Sequence, residues 1–186
     1  LIHVVDEVIV RQSMQRCALN LCNGKDKPGF THFVNLSPQF LARRELVHAM
    51  LQDAARFCVE TGMVDAPVKP LVLEITERQL IGNFEDLMKD LKPLLDFGFR
   101  LALDDFGSGY SSFLYLASLP VSFLKIEGWM VLNMRNNPKV LGMVKSIIAL
   151  ARDQGITTIA ECVEDAATAD LLQELGADWG QGWYFG

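Results

Sequence analysis

The alternation of short apolar runs with longer amphipathic stretches constrains the fold of this chain more than any other feature. Six short runs have the β-branched, apolar character of buried strands, and the stretches between them place apolar residues at helical spacing. Such alternation indicates βα units around a parallel sheet. The predicted strands are 32–35, 71–74, 100–104, 123–125, 157–161 and 179–181. The predicted helices are 38–60, 84–97, 112–117, 138–154 and 166–175, and residues 1–21 also have helical spacing.

Residues that typically begin or end helices support several of the predicted helix boundaries. Ser37 can cap a helix that has Pro38 in its first turn, where the missing N–H is not needed. Gly155 and Gly176 follow predicted helices and can adopt the left-handed conformation that ends a helix. Because the chain has 186 residues and half of them are hydrophobic, it can bury a sizeable core. We expect residues 1–186 to form a single domain.

The net charge narrows the possible ligands, and the cysteine content and hydropathy narrow the cellular compartment. The formal net charge of -6 argues against binding of duplex nucleic acid, and a phosphate ligand would need metal cations to offset the repulsion. The four cysteines contain no CxxC pair, which favours reduced thiols and a cytoplasmic chain. The best apolar run, 140–151, is interrupted by Lys145 and is too short to span a bilayer, although a parent protein could be membrane-anchored.

Each of the six predicted strands ends in a polar or charged side chain. These residues are Asn35, Glu74, Asp104, Lys125, Glu161 and Gln181. Burying such a group without a partner costs roughly 2–7 kcal/mol, so simple packing does not explain the pattern. In a barrel of parallel strands these ends converge on one face, where active sites are found. A single one of them is as readily a helix cap or turn residue, but six in register favour a site.

The carboxylates in these positions favour a hard divalent cation. Mg²⁺ and Mn²⁺ take oxygen ligands, whereas the chain has only three histidines and no HExxH spacing for zinc. Asp104 and Asp105 are adjacent at a strand end, and such a pair can hold two metal ions about 3.5–4 Å apart. The alternative for Asp105 is a turn residue that caps the following loop. The alternative for Lys125 is a salt-bridge partner among the acids.

Two further stretches suit a nucleotide ligand, although each is weak alone. The loop 107–112 is rich in glycine and hydroxyl groups, and its backbone amides can approach a phosphate. The aromatic residues 183–185 can stack on a base, but packing in the core is an equal interpretation. The Asp-Phe-Gly string also occurs in kinases, but an HRD-like loop and an upstream phosphate-binding glycine loop are absent from the sequence.

Together these strings resemble the EAL-domain cyclic di-GMP phosphodiesterases. The long string 104–112, DDFGSGYSS, is highly specific, and the matching strings cover nearly the whole chain in order and spacing. The others are Asn35-Leu36-Ser37, Glu74-Ile75-Thr76-Glu77, Leu124-Lys125-Ile126, Ala160-Glu161 with Val163-Glu164, and Gln181-Gly182. The resemblance implies a TIM-like (β/α) barrel and metal-dependent hydrolysis of cyclic di-GMP to the linear dinucleotide in bacterial signalling.

The resemblance also implies a role for each matching residue. The ligands of a first metal ion would be Asn35, Glu74, Asp104 and Glu161, and those of a second ion Asp105 and Glu127. The residues that hold the attacking water and the phosphate would be Lys125 and Gln181. Glu77 would anchor the glycine-serine loop, and Glu164 would support the site. Substrate contacts would come from Ser108, Gly109, Tyr110, Ser111 and Gln181. The expected cofactor is two ions of Mg²⁺ or Mn²⁺.

The chain also departs from the family pattern. The namesake Glu-Ala-Leu segment is absent, and the six strands correspond to the last six of eight. We therefore expect an incomplete barrel that lacks the N-terminal strands and the closing C-terminal helix, and a fragment that hydrolyses its substrate poorly. Glu127 stands where the family has aspartate, which shifts a ligand of the second ion. Cys162 replaces a glycine and crowds the loop after Glu161 if that backbone needs a positive φ.

Two functions remain after these comparisons of residues. The leading hypothesis is a phosphodiesterase, because the chain keeps the acids that receptors of this kind usually lose: Glu74, Asp104, Asp105 and Glu161. The alternative is a receptor module that binds cyclic di-GMP without cutting it. The resemblance also implies a homodimer and flanking sensory or cyclase-like domains in the parent protein.

Overall fold

A computed structural model describes most of the chain. The described residues are 2–22, 31–65, 69–80, 84–107 and 116–186. By contact density the chain divides into two compact units. The first unit contains residues 1–75 and 79–101, and the second contains residues 76–78 and 102–186.

The first unit is built from long helices and two paired strands. Its elements in chain order are α1 (Ile2–Cys22), β1 (His32–Asn35), α2 (Pro38–Leu41), α3 (Arg44–Thr61), β2 (Leu71–Thr76), a 3₁₀ helix (Glu77–Leu80) and α4 (Phe84–Asp96). Residues 76–78, at the junction of β2 and the 3₁₀ helix, belong to the second unit. Strands β1 and β2 are parallel, and the last pair of their register joins Asn35, where β1 ends, to Glu74, two residues before β2 ends. Strand β2 is buried from Leu71 to Ile75, as expected of a parallel strand that is covered on both faces.

The predicted helix 38–60 is wrong as a single helix. Helix α2 is capped by Ser37, whose Oγ accepts a hydrogen bond from the Phe40 N–H at 3.1 Å. It ends at Leu41, because Arg43 is extended with φ -101° and ψ 93°, and α3 begins at Arg44. The break allows Phe40 and Leu41 to be buried in the core. The apolar spacing of 38–60 continues across the break, so periodicity alone does not reveal it.

The second unit completes the βα alternation. Its elements are β3 (Arg100–Phe106, which begins in the first unit), β4 (Val121–Ile126), α5 (Gly128–Asn133), α6 (Pro138–Asp153), β5 (Thr157–Ala160), α7 (Ala166–Leu175) and β6 (Trp179–Gly180). Strands β4 and β5 are parallel, as are β5 and β6. Helix α6 packs against β4 and β5 with its buried face, which includes Val144 and Ile148.

The six predicted strands are confirmed, with end points that differ by up to two residues at either end. Helix α5 was not predicted, because six residues are too few to establish a helical period. The predicted helix 112–117 lies largely outside the described residues. Among the helices that the structure describes, none is both long and apolar enough to cross a bilayer.

Cys162 adopts the positive φ that its position requires. Its φ is 54°, in the left-handed region where a side chain costs roughly 1–2 kcal/mol relative to glycine. We expect Cys162→Gly to raise the free energy of unfolding by about 0.5–1 kcal/mol, after allowance for the larger backbone entropy of glycine in the unfolded chain. Urea unfolding measures this change.

The matched control makes the opposite change at Gly155. Its φ is 69°, and an added Cβ would meet nothing within 4 Å, so backbone strain is the main consequence of a substitution there. Gly155→Ala should lower the free energy of unfolding by about 1 kcal/mol. If Cys162→Gly were destabilising while Gly155→Ala behaved as expected, Cys162 would have to make contacts that outweigh its backbone strain.

Candidate metal centre

Three carboxylates of the second unit meet at the carboxyl ends of its strands. Asp104 and Asp105 lie near the end of β3, and Glu161 directly follows β5. One carboxylate oxygen from each lies within 4.8 Å of the others, so the three residues could hold a metal ion. Asp105 has a positive φ of 56°, and its N–H donates to Oδ1 of Asp104 at 3.0 Å. The backbone thereby turns at Asp105 while both aspartates stay in one cluster.

Lys125 lies between two of these acids at the end of β4. Its Nζ donates to Oδ1 of Asp104 at 2.9 Å and to Oε1 of Glu161 at 2.8 Å. The lysine side chain is 7% exposed, and those of Asp104 and Glu161 are 13% and 19% exposed. At this degree of burial solvent screens the charges weakly, so the ammonium group offsets much of the repulsion between the two carboxylates.

The environment raises the pKa of Glu161 in this cluster and of Glu127, which interacts electrostatically with it. Burial is the largest cause for Glu161, with the negative charges of Asp104 and Asp105 acting in the same direction against the hydrogen bond and charge of Lys125. Burial also raises the pKa of Glu127, and the charge of Asp105 adds to the effect. Repulsion among neighbouring acids is the condition under which a cation binds most favourably.

Glu77 fixes the start of the glycine-serine loop. Its Oε2 accepts a hydrogen bond from the Gly107 N–H at 3.1 Å, and the Glu77 side chain is buried. Gly107 has φ 102°, a conformation that favours glycine, and an added Cβ would also require the Met130 side chain to shift. The four loop residues predicted to contact the substrate, Ser108, Gly109, Tyr110 and Ser111, lie outside the described residues.

An open groove of about 360 Å³ adjoins the cluster within the second unit. Its lining includes Glu161, Glu164, Gln181 and Trp183. The Gln181 backbone is fixed at both polar groups, because its N–H donates to Ala160 O at 2.8 Å and its carbonyl accepts from the Val163 N–H at 3.0 Å. The Trp183 side chain is 86% exposed, so the structure does not support the interpretation that it packs in the core.

In the first unit, Asn35 at the end of β1 and Glu74 near the end of β2 form a second polar pair. The Asn35 Nδ2 group donates to Oε2 of Glu74 at 3.0 Å. Glu74 is buried and Asn35 is exposed. Since the amide nitrogen is engaged, Oδ1 is the atom of Asn35 that can ligate a cation. The structure thus pairs these two predicted ligands with each other, and their role in a metal site stays a prediction.

Sequence reasoning missed two long-range contacts of aspartates, one at the starts of β5 and β6 and one just after β1. Oδ2 of Asp178 accepts from both the N–H and the Oγ1 of Thr158 at 2.8 Å, which ties β6 to β5. In the first unit, Oδ2 of Asp6 accepts from the Ser37 N–H at 3.1 Å. No pattern in the sequence predicts either contact, because each depends on a long-range approach of the chain.

The donor set of the second unit fits a hard divalent cation. Its candidate ligands are carboxylate oxygens, which Mg²⁺ and Mn²⁺ prefer. The free thiol of Cys162 lies next to Glu161 in sequence, but it points toward Gly128, whose added Cβ would collide with the sulfur. The candidate ligand atoms of this cluster are therefore oxygens, and the identity of the metal stays a prediction.

Comparison with known proteins identifies the family. The EAL domain family matches residues 1–186. The chain belongs to the EAL domain family. The resemblance inferred from the strand-end residues is therefore confirmed, although this EAL domain lacks the namesake tripeptide within its sequence.

Curated relatives of this EAL domain are much longer proteins. Cyclic di-GMP phosphodiesterase PdeB of Shewanella oneidensis is 35% identical over 182 residues, which are 98% of this chain and 20% of that protein. Probable cyclic di-GMP phosphodiesterase PdeA of Escherichia coli is 34% identical over 161 residues, which are 87% of this chain and 21% of that protein. The chain thus spans about a fifth of the length of these relatives.

Solved structures of EAL proteins have the same fold. The structure of the PaMucR phosphodiesterase with c-di-GMP matches with a TM-score of 0.83 and 28% identity, over 100% of this chain and 72% of that one. The EAL domain of Mycobacterium smegmatis DcpA matches with a TM-score of 0.84 and 30% identity, over 99% of this chain and 79% of that one. This likeness confirms the predicted TIM-like (β/α) barrel fold class.

The raised pKa of Glu161 predicts how Mn²⁺ affinity depends on pH. A carboxyl group with a raised pKa takes up its proton at a higher pH than an ordinary glutamate, and the protonated group is a poor ligand. As the pH is lowered, Mn²⁺ affinity should therefore fall at a higher pH than it would with an ordinary glutamate ligand. Calorimetric titration with Mn²⁺ between about pH 4 and 8 measures the pH at which half of the affinity is lost. A midpoint at or below that of an ordinary glutamate would contradict the assignment of Glu161 as a ligand.

Proposed function

We propose that this EAL domain hydrolyses cyclic di-GMP to the linear dinucleotide with two bound ions of Mg²⁺ or Mn²⁺. The observation that carries the proposal is the cluster of Asp104, Asp105 and Glu161, in which Asp104 and Glu161 both pair with Lys125. The substrate is suggested by relatives that are named cyclic di-GMP phosphodiesterases and by a structural neighbour with c-di-GMP bound. Bound cations would offset the charge of the phosphodiester and acidify the attacking water.

The residues of the chain supply the remaining requirements of the reaction. Hydrolysis forms one bond from water to phosphorus and breaks one P–O ester bond, and the leaving oxygen takes up a proton. We assign Lys125 and Gln181 to hold the attacking water and the phosphate. The ammonium group of Lys125 lies between two acids, where its position and charge are fixed before the substrate binds. Such preorganisation is a main source of rate acceleration in enzymes.

The remaining ligands and loop residues complete the proposed site. The proposed first-ion ligands are Asn35, Glu74, Asp104 and Glu161, and the proposed second-ion ligands are Asp105 and Glu127. Glu77 would anchor the loop whose residues Ser108, Gly109, Tyr110 and Ser111 contact the substrate, and its bond to the Gly107 N–H supports that role. Glu164 lines the groove beside Glu161 and Gln181, which supports its place at the edge of the site.

The same family assignment supports a wider set of proposals for the protein. We propose that residues 1–186 act as one EAL domain, since a single family covers all of them. A homodimer and flanking sensory or cyclase-like domains are proposed from the resemblance. A cytoplasmic location is proposed because Cys17, Cys58 and Cys162 are free thiols.

Product analysis tests the proposed reaction. The full-length protein is incubated with cyclic di-GMP and Mn²⁺, and the products are separated by chromatography. We expect conversion to the linear dinucleotide that stops when a chelator removes the metal. Binding of cyclic di-GMP without conversion would instead support a receptor, and neither binding nor conversion would contradict both functions.

A further inference from the structure

Three hydrogen bonds fix Leu36 and Ser37, the two residues that follow Asn35 at the end of β1. The Leu36 N–H donates to the Glu74 carbonyl at 2.9 Å, which continues the strand pairing by one residue. Nε2 of Gln79 donates to the Leu36 carbonyl at 3.0 Å. The Ser37 N–H donates to Oδ2 of Asp6 at 3.1 Å. The segment is therefore held by side chains from two other elements, α1 and the 3₁₀ helix.

The contact from Asp6 differs from an ordinary surface carboxylate. Asp6 is 9% exposed, and burial of a carboxylate is costly unless its hydrogen bonds compensate. Its partner is a backbone N–H that lies 31 residues away and two residues after Asn35. Asp53 in the same unit instead forms two ion pairs, one with Arg11 of α1 and one with Arg56 of its own helix, α3. Asp53 supports helix packing, whereas Asp6 fixes a strand-end segment.

We propose that Asp6 and Gln79 are positioning residues that hold the Asn35 amide oxygen in place for a metal ion. This inference rests on the proposed role of Asn35 as a ligand. The Asn35 side chain is oriented by its bond to Glu74, but that bond fixes the amide only if the backbone beneath it is also fixed. Asp6 and Gln79 supply that constraint at the two residues that follow. Groups that orient metal ligands typically contribute 10–100-fold to metal affinity.

Mn²⁺ affinity measured without substrate tests the proposal in the full-length protein. We expect Asp6→Ala to raise the Kd for Mn²⁺ about tenfold. Asp6→Asn keeps an acceptor for the Ser37 N–H and should stay within about threefold of the unchanged protein. Gln79→Met removes the donor to Leu36 and should also raise the Kd about tenfold. Oε1 of Gln79 is buried without a hydrogen-bond partner among the described residues, so the methionine variant also loses an unsatisfied atom and should fold.

Asp53→Ala is the matched control, because it removes a carboxylate from the same unit that pairs with arginines away from Ser37. Its Kd should match that of the unchanged protein. The proposal is overturned if Gln79→Met folds with an unchanged Kd, if Asp53→Ala weakens binding as much as Asp6→Ala does, or if Asp6→Asn fails to restore affinity. If Asp6→Ala does not fold, Gln79→Met decides alone.

Asn35→Ala separates this inference from the proposed function. An unchanged Kd for Mn²⁺ in that variant would show that Asn35 is not a metal ligand and would overturn the premise of this inference. A protein that binds Mn²⁺ with the expected pattern of variants but does not hydrolyse cyclic di-GMP would contradict the proposed reaction and support the positioning role.

Discussion

Asp104→Asn should lower the rate of cyclic di-GMP hydrolysis by at least about 100-fold. Loss of a residue that merely orients a ligand costs 10–100-fold, and Asp104 is assigned as a direct ligand. The amide keeps the shape of the carboxylate but loses its charge, and it can no longer offer two equivalent acceptors to a cation and to Lys125. Initial rates at saturating Mg²⁺ measure the effect.

A control at Asp153 separates loss of the ligand from loss of a negative charge. Asp153 is the last residue of α6 and is exposed, so Asp153→Asn removes the same charge away from the cluster. Its rate should stay within about twofold of the unchanged protein, as expected of a screened surface charge. If Asp104→Asn turned over substrate at an undiminished rate at saturating Mg²⁺, Asp104 would not be a ligand of the metal.

Lys125→Met should destabilise the metal-free protein by about 3–5 kcal/mol. Removal of one partner from a buried ion pair leaves the other charges uncompensated, and here two carboxylates, Asp104 and Glu161, lose the same ammonium group. Urea unfolding with a chelator present measures the loss. Mn²⁺ should then recover part of the stability, because a cation at the cluster offsets the same repulsion.

Lys145→Met on the exposed face of α6 is the control for this change. It should alter the free energy of unfolding by less than about 0.5 kcal/mol, with the same response to Mn²⁺ as the unchanged protein. If Mn²⁺ stabilises Lys125→Met no more than it stabilises the lysine control, the cation does not bind beside Asp104 and Glu161.

The sequence predicted the strands well because their signal is local. Strand β1 was predicted at both ends, whereas β2 and β3 each continue two residues past the polar residue that ends the predicted strand, Glu74 and Asp104. The break at Arg43 could not be predicted, because the apolar spacing continues across it and the extended backbone there is selected by burial of Phe40 and Leu41. Local patterns identify elements, whereas tertiary packing decides where one helix becomes two.

The candidate site was predictable to the same extent. The sequence placed four polar residues at or next to strand ends, and the structure brings them together: Asp104, Asp105, Lys125 and Glu161. The bonds from Asp6 to Ser37 and from Asp178 to Thr158 were not evident. A lone aspartate in a helix or at a strand start has no distinguishing spacing, and its partner is set by how distant segments pack.

Anomalous diffraction from crystals grown with Mn²⁺ tests the central claim most directly. We expect an anomalous peak with carboxylate oxygens of Asp104, Asp105 and Glu161 among its ligands, at roughly the 2.0–2.2 Å typical of small divalent cations. Full occupancy of Mn²⁺ elsewhere, with no peak beside these three carboxylates, would contradict the account.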